Sequence, residues 1–151
     1  MQIVICASID FTFEIKKIAD ELEKMGHTVD LPLTSQKILR GELTMEEFQA
    51  EKRKNGDSVF RKVKDDVIRR YYNKIIDSDA ILVANYQKKG IKNYIGGNTF
   101  LEMGFAYVLN KKIFLLNPIP EMGYKDELEA MQPIVVNGDL ARIVKVNFLF
   151  L

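Results

Sequence analysis

The sequence of 151 residues predicts a single α/β domain, with a five-stranded, mostly parallel sheet and helices on both faces in three layers. Short apolar runs such as 2–7 and 80–84 lack the alternation of half-exposed strands. This is typical of strands buried on both faces, as in parallel sheets. Segments with helical spacing separate these runs, and such alternation favours right-handed crossovers between parallel strands. A chain of this length suits one domain.

The first half of the chain predicts a strand–helix–strand opening. Gln2 to Ala7 forms the first strand, and apolar residues from Phe11 to Met25 recur at helical spacing until Gly26, a natural helix stop. His27 to Leu31 gives a second strand, which Pro32 ends. The segment 34–55 is charged and weakly periodic, which predicts mobile helix or loop over one end of the sheet.

The second half continues the alternation. An amphipathic stripe over 59–76 predicts a helix, and Ala80 to Ala84 a third buried strand. After a loop, the elements predicted are a helix over about 99–110, a strand over 112–116, a short helix over 126–131, a strand over 133–136, and an edge strand or tail over 143–151.

Composition limits the classes of function. The net charge is +1, so the overall balance does not indicate nucleic-acid binding. One cysteine, Cys6, allows no internal disulfide, and with a single histidine, His27, it predicts neither a zinc site nor another metal site. Cys6 lies in an apolar run and is expected to be a buried, inert thiol. No apolar run approaches the roughly 20 residues of a membrane span. We expect a cytoplasmic protein without a cofactor or membrane partner.

The most informative segment runs from Tyr94 to Asn110, where Glu102 is the only charged residue. The surrounding helix is apolar on nearly every side, which predicts a buried helix with Glu102 in its first turn. Free N–H groups and the helix dipole would then keep the carboxylate ionised. Gly96 and Gly97 precede this helix, and paired glycines allow the backbone to approach a ligand closely.

A purely structural interpretation of the same segment stays open. Thr99-Phe100-Leu101-Glu102 matches a capping box, in which Glu102 would bond back to the Thr99 N–H. The two glycines argue against it, because a cap does not need them.

Other candidate binding residues follow from the rule that ligands of flavodoxin-like or Rossmann-like sheets bind at the carboxyl ends of the strands. Ser8 and the amides after it suit a phosphate or a sugar hydroxyl, although a plain N-cap by Ser8 or Asp10 is an equal alternative. Lys88, Lys89 and Lys92 can attract an anion or simply lie in solvent. The full candidate substrate-binding set is Ala7, Ser8, Ile9, Asp10, Asn85, Tyr94, Gly96, Gly97, Asn98, Thr99 and Asn117.

Two short motifs resemble the nucleoside 2-deoxyribosyltransferase-like superfamily, which includes deoxyribosyltransferases and 2′-deoxynucleoside 5′-phosphate N-hydrolases. Residues 102–106, EMGFA, look like its E-[ILM]-G-[YFR]-A signature, and residues 6–9, CASI, look like the Cys-Gly-Ser-Ile stretch of the hydrolases. The resemblance covers most of the chain. It implies one domain of this type over 1–151, with Glu102 as a nucleophile that attacks the anomeric carbon of a (deoxy)ribosyl group. It also implies a homodimer or higher homo-oligomer, at which the apolar segment 146–151 hints.

The chain departs from the transferases at two positions. They carry an acidic residue six positions before the nucleophile, where this chain has Gly96, and an aspartate near the position of 71–73. Residues 96–102 also resemble the PGGxGTxxE motif of the lysine-decarboxylase-like phosphoribohydrolases, without its proline and one residue short. Both families cleave an N-glycosidic bond. The sequence therefore predicts a nucleoside or nucleotide N-glycosidase or (deoxy)ribosyltransferase, with a nucleotide-binding or sensing module as the alternative.

Overall fold

The computed structural model describes residues 1–54 and 57–144. Eleven helices and strands follow one another in chain order, with short 3₁₀ helices at Ile9–Phe11 and Leu140–Arg142. The helices and strands are β1 (Gln2–Cys6), α1 (Thr12–Lys24), β2 (Thr28–Asp30), α2 (Leu33–Leu39), α3 (Met45–Lys54), α4 (Asp57–Ile76), β3 (Ala80–Val83), α5 (Gly97–Val108), β4 (Lys112–Leu115), α6 (Lys125–Ala130) and β5 (Ile134–Val135).

The five strands form one sheet in the order β2-β1-β3-β4-β5, and every pairing within it is parallel. The predicted α/β class and five-stranded sheet are therefore confirmed, and the sheet is wholly rather than mostly parallel. From β1 the chain crosses over to β2 on one side and then returns to β3 on the other side of β1. The order thus reverses between β1 and β3, and their carboxyl ends form the crevice where such sheets bind ligands.

Two apolar layers cover the two faces of the sheet. One contains Ile15 and Leu22 of α1 and is completed after β5 by Leu140 and Ile143. The other contains Tyr71 and Ile75 of α4, Met103 of α5 and Leu128 of α6. The strands contribute alternate residues to each layer, as the pleat requires, and β1 and β3 are buried almost completely. Burial on both faces is why these strands read as continuous apolar runs in the sequence.

The charged segment between β2 and α4, expected as mobile helix or loop, contains the two helices α2 and α3. Ser35 of α2 is fully buried and hydrogen-bonds the hydroxyl of Thr12 at the start of α1 (2.8 Å). No side chain of α3 is buried. Ile38 of α2 is also buried, so weak periodicity corresponds to one short helix packed on the core and one that lies on the surface.

Helix α5 differs from its prediction in two respects. It extends over Gly97–Val108 rather than from about 99 to 110, with Gly96 as its N-cap residue. It is also not buried all round, because Leu101, Tyr107 and Val108 are 45%, 52% and 71% exposed. An apolar composition on every side had predicted burial, but only the face with Thr99, Met103 and Ala106 is buried.

The end of the chain is described as far as residue 144, where Ile143 is buried and Val144 is exposed. The predicted edge strand or tail over 143–151, and the apolar segment 146–151, therefore lie almost entirely outside the described residues. Within the described ranges, none of the helices has the length and apolar character needed to cross a bilayer.

Candidate active site

Glu102 lies in the second turn of α5, not in its first turn. The helix begins at Gly97 because the extended Gly96 (φ −78°, ψ 172°) acts as the N-cap residue, so Glu102 is the sixth helical residue. No side chain caps this end, and the predicted capping box between Thr99 and Glu102 does not form. The carboxyl group is therefore too far along the helix for the free N–H groups, whose effect is confined to the first turn.

The carboxyl group of Glu102 is surrounded by groups from three elements. It makes a side-chain hydrogen bond with the thiol of Cys6 at the end of β1, and it acts electrostatically on the hydroxyl of Tyr71 in α4. Tyr71 itself donates a hydrogen bond to the carbonyl oxygen of Ile5. Glu102 as a residue is half-buried, but its carboxyl group is almost fully desolvated. The arrangement places one buried acid against the carboxyl end of β1.

Desolvation controls the protonation of this acid. Burial raises the pKa of Glu102 to about 8, and the hydrogen bond with Cys6 lowers it only in part. The prediction that helix-start amides keep Glu102 ionised is therefore wrong for the free protein, since at pH 7 only about a tenth of the carboxyl groups are charged. Burial also raises the pKa of the Cys6 thiol, and Glu102 raises it further. The predicted burial of this thiol is confirmed.

Next to this acid, Ser8 and Asp10 are joined by a lysine from a different loop. The Nζ of Lys88 donates to the Oγ of Ser8 (2.7 Å) and lies 2.9 Å from Oδ2 of Asp10. Gln49 of α3 also donates to the Asp10 carboxylate. Ser8 caps the 3₁₀ helix as the structural alternative proposed, accepting from the Asp10 N–H at 3.4 Å, but this does not exclude a second role.

Asn85 and Asn117 connect the carboxyl ends of β3 and β4 through hydrogen bonds. Oδ1 of Asn85 accepts from the Asn117 N–H (2.9 Å), and its Nδ2 donates to the carbonyl oxygens of Asn117 (3.0 Å) and Pro118 (3.1 Å). The Asn117 side chain returns a bond to the Asn85 carbonyl (3.0 Å). Asn85 is only 1% exposed. The side-chain amides of these two candidate binding residues therefore stabilise the loops after β3 and β4.

The two glycines ahead of α5 have different surroundings. A Cβ on Gly96 would lie 3.3 Å from Cε1 of Tyr94, whose ring packs directly on that glycine. A Cβ on Gly97 would meet nothing within 4 Å. The Tyr94 ring therefore occupies the space into which a side chain at position 96 would extend, and Gly97 leaves an open approach to the start of the helix. The ammonium group of Lys89 lies over the same ring, 5.7 Å from its centre.

The remaining candidate residues border the same crevice with unequal exposure. Ala7 and Ile9 are half-buried beside Ser8, and Asn98 is exposed in the first turn of α5. Thr99 is 7% exposed and packs inward. The structure therefore places Ala7, Ser8, Ile9 and Asp10 directly after β1, and residues 94–98 between β3 and the first turn of α5.

Comparisons with known proteins give a limited result. No protein-family model matches the chain, and no curated protein matches its sequence. Solved structures are similar to the chain, among them the following two. A 2-deoxyribosyltransferase from Bacillus psychrosaccharolyticus is 19% identical, with 76% of this chain and 71% of that one covered (TM-score 0.49). The CMP N-glycosidase BcmB from Clostridium botulinum is 18% identical, with 91% and 90% covered (TM-score 0.49). At this level of similarity neither assigns an activity to the chain.

Sequence reasoning missed two residues that the fold brings to the site, and it did not separate Lys88 from its neighbours in the loop. Cys6 is predicted only as a buried thiol and Tyr71 only as part of the apolar stripe of α4, while Lys88, Lys89 and Lys92 are predicted alike to attract an anion or to lie in solvent. Tyr71 and Cys6 are indeed 4% and 0% exposed, so no local pattern separates them from core residues. Only the parallel pairing of β1 with β3, which places β1 beside the loop that carries Lys88, brings these groups to Glu102 and Ser8.

Proposed function

We propose that this protein cleaves the N-glycosidic bond of a nucleoside or nucleoside 5′-monophosphate, with Glu102 as nucleophile. The ionised carboxylate attacks the anomeric carbon, and the bond to the base breaks with its electron pair leaving on the base. A glycosyl ester of Glu102 forms. Water then attacks the same carbon and frees the sugar and the carboxylate, or a second base does so and gives a new nucleoside. The carboxyl group at the crevice between β1 and β3 is the observation that carries this proposal.

The raised pKa of Glu102 restricts how this chemistry works. The nucleophile must be ionised, but the free protein favours the neutral acid at pH 7. An oxocarbenium-like transition state develops positive charge next to the carboxyl group, and this charge stabilises the carboxylate. We therefore expect the ionised form to be favoured on the reaction path rather than at rest, so the active fraction grows as the pH rises towards 8.

A nucleotide-binding module with little catalysis is the second candidate. Two observations favour it: Glu102 is mainly neutral at pH 7, and the Tyr94 ring fills the space at Gly96, where the resembling transferases carry an acid. Without that acid, the departing base lacks an obvious proton donor. A pocket that binds but turns over slowly fits both observations.

One assay separates the two candidates. The protein is incubated with nucleosides and their 5′-monophosphates, and free base is measured by chromatography over a range of pH. If the protein is an enzyme, the wild type should release free base. Glu102→Gln should reduce the rate of release by several orders of magnitude, as expected for loss of a nucleophile. Glu127→Gln, an exposed acid on α6, serves as the matched control and should keep full activity. Saturable binding without release by the wild type would establish the binding module instead.

We also infer that the chain forms a homo-oligomer through α4 and α5. These neighbouring helices expose large apolar side chains: Val63 (54%), Val67 (38%), Leu101 (45%) and Val108 (71%). Apolar surface of this kind is costly in a monomer and is typical of an interface. Sedimentation analysis should give a mass above 17.4 kDa, and Val108→Lys should shift the protein towards that mass. A wild type that sediments as a monomer would exclude the interface.

A further inference from the structure

A cavity lies at the opposite end of the sheet from the candidate active site. It has a volume of about 280 Å³ and is bordered by Asn110 and Lys111 in the turn between α5 and β4, and by Met131 and Gln132 in the turn between α6 and β5. These turns precede two parallel strands, so the cavity adjoins the amino ends of β4 and β5, whereas the candidate active site lies at the carboxyl ends of the sheet. The cavity is therefore a separate feature, and the proposed reaction does not use it.

Lys112, the first residue of β4, borders this cavity and carries a buried charge. Its Nζ is buried and has no hydrogen-bond partner, and among the side chains that the structure describes it is the one buried nitrogen or oxygen of this kind. An ammonium group has three hydrogens to donate, and burying it without an acceptor is costly. Buried polar groups are paired in most proteins, so Lys112 is a candidate contact for an acceptor from outside the chain.

The acids of the adjoining segments have other partners. The N–H of Lys112 donates to the carbonyl oxygen of Asp79 (3.4 Å), but the carboxylate of Asp79 accepts from the N–H of Gln2 (2.7 Å). Glu129 of α6 lies 3.9 Å from the Nζ of Lys125. Within the described ranges, no ion pair includes Lys112. Its charge is therefore not balanced by a carboxylate of the chain in contact with it.

The walls of the cavity combine positive charge with apolar surface. Among the described residues that border it, the charged ones are Lys111 and Lys112, and none is acidic. Tyr107 and Ile134 border it as well and are 52% and 40% exposed, so an aromatic ring and an aliphatic side chain remain partly uncovered. The C-terminal ends of α5 and α6 bring partial negative charge, which lessens the cost of the lysines but gives Nζ no hydrogen bond. An anionic group on a small apolar body matches both kinds of surface.

Two side-chain amides add polar contacts at the same place. Asn110 and Gln132 each follow the end of a helix with a left-handed backbone, at φ 57° and φ 51°. Glycine is the usual residue at such positions and asparagine is tolerated, whereas glutamine strains the backbone there. Both residues border the cavity, and an amide can donate to the oxygens of an anion.

We propose that this cavity binds a small organic carboxylate. The carboxylate pairs with the buried ammonium group of Lys112 and accepts from the amides of Asn110 and Gln132, and the apolar part of the ligand packs on Tyr107 and Ile134. One negative charge balances the one buried ammonium group, which favours a monoanion. The volume lies just below the usual range of ligand pockets, roughly 300–1,000 Å³, so the ligand is about the size of a single ring with one acidic substituent. The site is independent of the proposed function.

The test is a titration with benzoate, its neutral analogue benzamide and acetate, followed through the backbone amide signals in nuclear magnetic resonance spectra. Benzoate should shift the signals of residues 107–113 and 131–134 and reach saturation. Benzamide lacks the charge and acetate lacks the ring, so each should bind roughly tenfold more weakly or worse. Lys112→Met should weaken benzoate binding by a similar factor, and Lys24→Met, at an exposed lysine of α1, should leave it unchanged.

Thermal unfolding distinguishes a lost contact from a lost fold. Lys112→Met removes a buried charge that has no partner, so the variant should be at least as stable as the wild type. Benzoate should raise the Tm of the wild type and leave that of Lys112→Met unchanged. A wild type that does not bind benzoate would overturn the proposal, as would equal binding of benzoate and benzamide. Unchanged benzoate binding by Lys112→Met, or signals that shift only at the candidate active site, would do the same.

Discussion

The thiol of Cys6 hydrogen-bonds the carboxyl group of Glu102 at the carboxyl end of β1, and this contact joins strand and helix at the candidate active site. Both groups are desolvated, and the pKa of each is raised by burial. The thiol partly offsets this effect for Glu102, because its S–H donates to the charged carboxylate. The protonation state of the candidate nucleophile is thus set by a balance between burial and one weak donor.

The pH dependence of base release should show this balance. Because the active form is the carboxylate, kcat/KM should rise from pH 6 and level off above a pKa of about 8, measured in the free enzyme. An activity that is already constant between pH 5 and 7 would show that Glu102 is ionised or is not the nucleophile.

Replacing the thiol should move that profile. Cys6→Ala removes the donor and leaves burial in place, so the pKa of Glu102 should rise and the active limb should shift to higher pH. Cys6→Ser supplies a stronger donor of similar size and should shift the limb to lower pH. Rates measured across pH for both variants decide this. A structural role for Cys6 alone predicts lost stability in Cys6→Ala with no change in the profile.

Glu102→Gln should make the protein more stable as well as inactive. A folded pKa of about 8 lies above the ordinary value of 4.5, so the stability contributed by neutral Glu102 is complete at low pH and is lost as the pH rises through 8. At pH 7 the neutral amide avoids a cost on the order of 3 kcal/mol. Urea unfolding at pH 5 and 8 should show that the advantage of Glu102→Gln grows with pH. An equal difference at both values would contradict the raised pKa.

Asn85→Ala should destabilise the fold by about 2–3 kcal/mol, because it leaves buried backbone groups of Asn117 and Pro118 without their amide partner. Thermal unfolding measures the effect. Asn73→Ala, at an exposed position on α4, is the control and should be neutral or slightly stabilising, since alanine favours helix. A loss of binding without a loss of stability in Asn85→Ala would show that its amide serves the ligand instead.

Gly97→Ala separates the roles of the two glycines. No atom lies within 4 Å of the new methyl group, so stability should be unchanged or slightly higher. If the glycine allows a ligand close to the helix start, the variant should bind nucleosides and their 5′-monophosphates more weakly, by calorimetry. Gly96→Ala should instead displace the Tyr94 ring, because the methyl group would lie 3.3 Å from it. Unchanged binding by Gly97→Ala would remove Gly97 from the site.

Most of the fold follows from patterns that lie close together in the sequence. The apolar runs of β1 and β3 and the stripe of α4 predict a parallel sheet with helices on both faces, and the structure has this arrangement. The boundaries of α5 could not be predicted in this way, because Gly96 caps the helix three residues before Thr99, the cap residue that the capping-box pattern suggests. That shift alone moved Glu102 out of the first turn and away from the amides expected to ionise it.

The sequence by itself determined the class of fold and singled out Glu102, because hydrophobic periodicity and a lone charge in an apolar helix are local properties. Tertiary structure alone decided the state and the neighbours of that acid. The contact of Glu102 with Cys6 joins residues that lie 96 positions apart in the sequence, and the contact of Lys88 with Ser8 joins residues that lie 80 positions apart. The desolvation of Glu102 likewise depends on groups that are distant in the sequence. Such contacts depend on which strands pair and how deeply a group is covered, and no spacing along the chain encodes either one.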